Sequence, residues 1–183
     1  MSSPERLYYT DDPAACELLA NDPFALLMGV AIDQQVTVQK AFAGPLALKE
    51  RVGTLDPKRL AKADLEEAFR EKPAIHRFPG TMAERVRDLA AVVSDEYGGD
   101  ASRIWNDAKD GDELRSRLEA LPGFGPMKVT TLGAILAKRL GVEAARGLVP
   151  NHPTLGDVDS PQALADYQAA KRAHKAMLRA EKT

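Results

Sequence analysis

Leu121-Pro122-Gly123-Phe124-Gly125 is the stretch of this 183-residue chain whose residue types point most directly to chemistry. Two glycines two apart open backbone dihedrals closed to other residues and leave amide N–H groups uncovered by side chains. A helix begins just after them, so its unpaired N–H groups and positive dipole end aim at the same spot, an anion site by construction. A tight helix–helix turn without any ligand would use the same two glycines. The other reactive types are sparse. Cys16 is the only cysteine, which excludes an internal disulfide, a cysteine-rich zinc site and a four-cysteine iron–sulfur cluster, and reads as a buried small residue on a helix. His76 and His152 have no metal-ligating partners at ligand spacing. Cations gather in two places: His76, Arg77, Arg85 and Arg87, and then Lys171, Arg172, Lys175, Arg179 and Lys182 against Glu181 alone. The net charge of −2 argues against general adhesion to nucleic acid but leaves room for a local basic face.

The elements that must position these residues read as helices almost throughout. Phe24, Leu27, Met28, Ala31 and Ile32 follow one helix face, with Asp22 as cap and Pro23 in the first turn. That helix is apolar nearly all round, so it is expected to run through the centre of the fold. A second is expected from about Val36 through Phe42, kinked or stopped at Gly44-Pro45. Leu60, Leu65, Ala68 and Phe69 mark one or two short helices. After the non-helical KPAIHRFPG comes a long amphipathic helix with Met82, Val86, Leu89, Ala90, Val93 and Tyr97, ended by Gly98-Gly99. Leu114 and Leu118 precede the glycine turn, and Leu132, Ile135 and Leu136 follow it. Val142 to Asp159 carries turn formers and weak signals, and Ser160-Pro161 opens a last helix.

No segment alternates with period two, so the expected class is all-α, as a single domain over residues 1–183. Hydrophobic residues at 44% and charged residues at 28% suit a globular core, and aromatics at 5% make that core aliphatic. The longest apolar run, Pro23 to Ile32, is far short of the ~20 residues that span a bilayer, and MSSPERLYYT is no secretory signal. A cytoplasmic, monomeric protein is expected.

LEALPGFGPMKVTTLGAIL resembles the hairpin of the HhH-GPD superfamily, the helix-hairpin-helix base-excision DNA glycosylases. DPFALLMGVAIDQQVTVQKA resembles that family's early helix pair, and IHRFPGTMAERVRDLA its wedge-bearing segment. The three stand in the family's order over about Asp22 to Leu140, and the whole chain is most similar to a small bacterial branch. The resemblance implies a helix-hairpin-helix glycosylase-like fold, with the hairpin over about 112–140 and the closing helix over about 161–180. It also implies double-stranded DNA as partner, with a backbone phosphate on Gly123, Phe124 and Gly125 beside Met127 and Lys128. No cofactor is implied beyond a structural ion that the hairpin would accommodate. Gln34 and Gln35 would fill the gap left by an extruded base. Phe78 would be the wedge, with Arg77 and Arg85 beside it. Against these roles stand helix-cap or surface positions for the glutamines and a core anchor for Phe78.

The departures set the expected reaction. Bifunctional members carry a Schiff-base lysine where this chain has Met127. Lys128 follows one step on, about 100° round the helix, and is expected to face phosphate or solvent. Base release without strand cleavage is therefore implied. The family's acid should stand about where Val149-Pro150-Asn151-His152 lies, and the nearest acids beyond are Asp157 and Asp159, the candidate catalytic pair. A carboxylate there would stabilise the cationic sugar as the glycosidic bond breaks. Turn or cap positions are the other reading of both, and Asp33 is a further pocket acid. A non-catalytic helix-hairpin-helix DNA-binding protein is the alternative, and a helical interaction module the third.

Overall fold

A computed structural model describes residues 3–183. Ten α-helices form among them: α1 (Pro13–Asn21), α2 (Pro23–Ile32), α3 (Val38–Val52), α4 (Pro57–Leu60), α5 (Glu66–Arg70), α6 (Pro79–Tyr97), α7 (Arg103–Asn106), α8 (Gly111–Glu119), α9 (Pro126–Lys138) and α10 (Pro161–Glu181). Two short 3-10 helices, Glu143–Leu148 and Leu155–Asp157, lie between α9 and α10. No strand occurs among the described residues, so the all-α class holds. No single described helix is long and apolar enough to cross a membrane.

The sequence explains α2 well. Asp22 accepts from the Phe24 and Ala25 N–H groups at 2.9 and 3.3 Å, closing the first turn beside Pro23. Every residue from Phe24 to Ile32 is buried, because α3, α6 and α9 all pack around the helix. Its carboxyl end therefore stops inside the molecule, where the last carbonyls must find partners.

Helix α3 departs from expectation. Thr37 caps it, and it runs on to Val52 with Pro45 inside. Proline at that point gives up only its own bond to the Ala41 carbonyl, and burial of Ala41, Phe42 and Leu48 keeps the helix in register. Cys16 is buried on α1, its thiol donating to the Thr10 carbonyl at 3.3 Å. One contiguous core extends from Leu7 to Leu164.

Candidate functional site

Four segments meet at the carboxyl end of α2. Lys128, in the first turn of α9, donates from Nζ to the Ala31 carbonyl at 2.7 Å, Gln34 Oε1 at 3.0 Å and the Gly123 carbonyl at 3.2 Å. Arg85 of α6 donates to the same Gln34 Oε1 at 2.9 Å. Two cations thus cap the negative end of a buried helix, the arrangement its dipole favours. From the loop before α6, His76 Nε2 lies 3.0 Å from both the Ile32 and Gln34 carbonyls, and Nδ1 accepts the Phe78 N–H at 3.0 Å. Those partners fix the tautomer: the proton sits on Nε2 and the ring is neutral. Burial lowers the His76 pKa, in keeping with that form.

Gln34 and Gln35 take different places. Gln34 is half-buried, its amide oxygen held between the two cations. Gln35 is exposed and adopts φ +58°, the one described non-glycine residue at positive φ. Such a conformation costs on the order of 1–3 kcal/mol and persists only where the surroundings enforce it. Here the His76 bond to the Gln34 carbonyl and the cations on its side chain do so.

Phe78 is no core anchor. It caps α6 at the surface with 39% of its area exposed, and the Arg77 guanidinium lies 5.4 Å from its ring centroid. Arg77 is itself exposed. Arg85, expected on DNA, instead turns inward to Gln34. Lys128, expected at phosphate or solvent, turns inward as well. One step of about 100° along α9 separates the fates of its neighbours: Met127 is 77% exposed while Lys128 reaches the end of α2.

The hairpin glycines differ in kind. Gly123 has φ +78°, which strains any other residue, and a Cβ there would lie 2.5 Å from Arg85 Nε and push that side chain aside. A Cβ on Gly125 would meet nothing within 4 Å. Gly125 also caps α9 without a side-chain bond, and Pro126 has no N–H, so Met127 and Lys128 carry the unpartnered amides of the first turn. Phe124 contributes less than expected: it is buried, and its N–H already donates to the Leu121 carbonyl at 3.1 Å. The Gly123 carbonyl is taken up by the Lys128 ammonium and is not free to hold a structural cation.

The acids separate just as clearly. Asp157 forms an ion pair with Lys138 and accepts the Thr154 N–H at 2.9 Å, closing a capping box over the 3-10 turn. Although burial opposes it, those bonds lower its pKa. Asp159 is exposed beyond that turn. Asp33 ends α2 in the midst of the cluster, and burial pushes its carboxyl up to about 6 even though the Lys171 and Lys128 charges pull the other way. Burial and the Arg85 charge bring the Lys128 amine down to about 8. Sequence reasoning ranks Asp33 behind Asp157, yet the signal is there: an acid directly after nine buried apolar residues must end near the core.

Beside this cluster a cavity of about 380 Å³ opens between α9, the His152-Pro153-Thr154 loop and α10. Met127, Thr131, Tyr167 and Lys171 are among its lining. Asp33 does not line the cavity itself, but its charge acts on Tyr167 and Lys171, which do. No family model, curated protein or solved structure matches the chain. What the site can do follows from its own geometry.

Proposed function

We propose that the chain binds duplex DNA and hydrolyses the N-glycosidic bond of an extruded, damaged base. The observation that carries this reading is the convergence on Gln34: the turn before α3, the loop before α6 and the start of α9, far apart in sequence, are joined by bonds of 2.9–3.0 Å to that one residue. These are the three segments whose sequence resembles the glycosylases. In this reading a backbone phosphate lies at the open amides beside Gly125, and exposed Phe78 enters the base stack. Unstacking costs a few kcal/mol, which an inserted ring offsets. Exposed Gln35 fills the vacated space, and Gln34 holds the platform.

The extruded base occupies the cavity beside α10, whose volume lies in the range of small-molecule sites. Asp33 then serves as the carboxylate. As the C1′–N bond breaks, the base leaves with the electron pair and the sugar becomes cationic. Ionised Asp33 stabilises that cation, takes the proton of the water that adds to C1′ and passes it to the departed base, which restores the carboxylate. Lys128 does not act as an amine nucleophile, since its ammonium is held by three acceptors.

Duplexes carrying different damaged bases, assayed for abasic sites, test the reading. Wild type should release at least one of them, leaving a strand that breaks only with alkali. Asp33→Asn should slow release roughly a hundredfold or more while the duplex still binds. Borohydride trapping of a protein–DNA adduct would contradict the assignment to Asp33 and move the reaction to Lys128. A specific observation favours a second reading, binding without catalysis: the Asp157 carboxylate, nearest the family's acid in sequence, is engaged by Lys138 and Thr154. Duplex binding with no release from any lesion would support it.

A further inference from the structure

Helix α10 packs into the core only in its first half; its second half is exposed, with His174, Lys175 and Leu178 facing the cavity across from α9. Leu164 is its only buried residue, and every residue from Lys171 to Thr183 is exposed. The free part, up to Glu181, extends about 16 Å at the α-helical rise. It carries Lys171, Arg172, Lys175, Arg179 and Lys182 against Glu181 alone. With a net −2 for the chain and +4 for this segment, the remainder carries −6.

The five cations are not scattered round the helix. At about 100° per residue they fall within a sector about 100° wide. Lys171, Lys175 and Arg179 follow one another at i, i+4 spacing, where like charges destabilise a helix. None of Arg172, Lys175, Arg179 and Lys182 is paired with an acid among the described residues. A self-repelling stripe on an exposed helix half is relieved by a partner that presents a row of negative charge. The stripe starts at Lys171, in the wall of the cavity whose opposite wall begins at Pro126 and Met127, next to the open hairpin amides.

We propose that the free half of α10 is a second DNA-backbone surface, lying along the phosphates of a duplex seated on the hairpin. The inference rests on the duplex-binding reading above and extends it to an arm outside the three resembling segments. It accounts for duplex binding by a chain whose remainder is acidic, because the positive charge is concentrated where the backbone runs.

The test is the salt dependence of binding to an undamaged duplex, comparing the full chain with the triple variant Arg172→Gln, Arg179→Gln, Lys182→Gln. These three lie outside the cavity lining, and helix content by circular dichroism checks the fold. Each phosphate left without its cation should reduce the slope of log affinity against log salt by about 0.9. Two or more such phosphates lower it by about 1.8 or more and weaken binding roughly tenfold at physiological salt. An unchanged slope in the triple variant, with wild type binding duplex normally, overturns the arm and leaves the hairpin reading standing. Absence of duplex binding by wild type overturns both. Phosphatidylserine vesicles serve as the competing surface: binding to them that needs the three cations, with duplex affinity unaffected, also overturns the proposal.

Discussion

At the scale of single residues, Asp33 carries a thermodynamic signature that a surface acid would lack. Burial holds its folded-state pKa at about 6, above the ordinary 3.8. The folded protein therefore binds that proton more tightly than the unfolded chain does, and stability falls as pH rises from about 4 to about 6 and stays reduced above. Asp33→Asn removes the ionisation and should raise stability at pH 7 by up to about 3 kcal/mol, with little gain at pH 4, as read from urea unfolding at the two values. If Asp33 is the catalytic carboxylate, the same variant loses base release, the opposition expected of an acid retained for function. Wild-type release should rise with pH through about 6, where the active form appears. A variant no more stable than wild type at pH 7 would contradict the burial argument. Lys128→Met gives the complementary result: it strips a donor from the Ala31 carbonyl and Gln34 Oε1, and should cost about 1–3 kcal/mol.

At the scale of elements, the hairpin and the α2 end show what can be read from sequence. Helical periodicity places α2, α6, α8 and α9, because apolar residues at helix spacing can be buried only as helices. The Gly123-Phe124-Gly125 turn is legible for the same local reason. Which glycine serves the fold is not, since that depends on Arg85 crossing from α6. The inward turn of Arg85 and Lys128 is hidden too, because it answers a need of another element, the unpartnered carbonyls of α2. The cap reading of Asp157 has a local basis as well: Thr154-Leu155-Gly156-Asp157 has the spacing of a capping box. The glycines give a separable prediction. Gly123→Ala meets Arg85 and a positive φ, so it should destabilise by at least about 1 kcal/mol and displace Arg85 from Gln34. Gly125→Ala should leave the melting temperature within about a degree, being strain-free and exposed. Its duplex affinity should nevertheless fall several-fold, because the methyl group occupies the approach to the α9 amides. Normal duplex affinity in Gly125→Ala would remove the hairpin from the proposed DNA interface.

At the scale of the whole molecule, the cavity is only as rigid as the segment between α9 and α10, which has few regular bonds of its own. Tyr9, from the far end of the chain, secures it. The ring is fully buried against Phe42 at a centroid distance of 5.0 Å, and its hydroxyl donates to the Leu155 carbonyl at 2.9 Å. The residues before α1 therefore stitch α3 to the 3-10 turn that carries Thr154 and Asp157, a long-range link that no local pattern in the sequence announces. Tyr9→Phe keeps the packing and leaves the Leu155 carbonyl with the Val158 N–H as its one partner, which should cost about 0.5–1.5 kcal/mol. Tyr9→Ala also leaves a cavity and should cost about 3–5 kcal/mol, as buried aromatic truncations do. Because one core runs from Leu7 to Leu164, both variants should still unfold in a single transition, with helix signal and Trp105 fluorescence lost together. A separate early fluorescence change, with most of the helix signal retained, would divide the core into independent units. If Tyr9 fixes the wall that receives the base, Tyr9→Phe should slow base release more than it weakens duplex binding, since the hairpin and Phe78 lie outside the segment it secures.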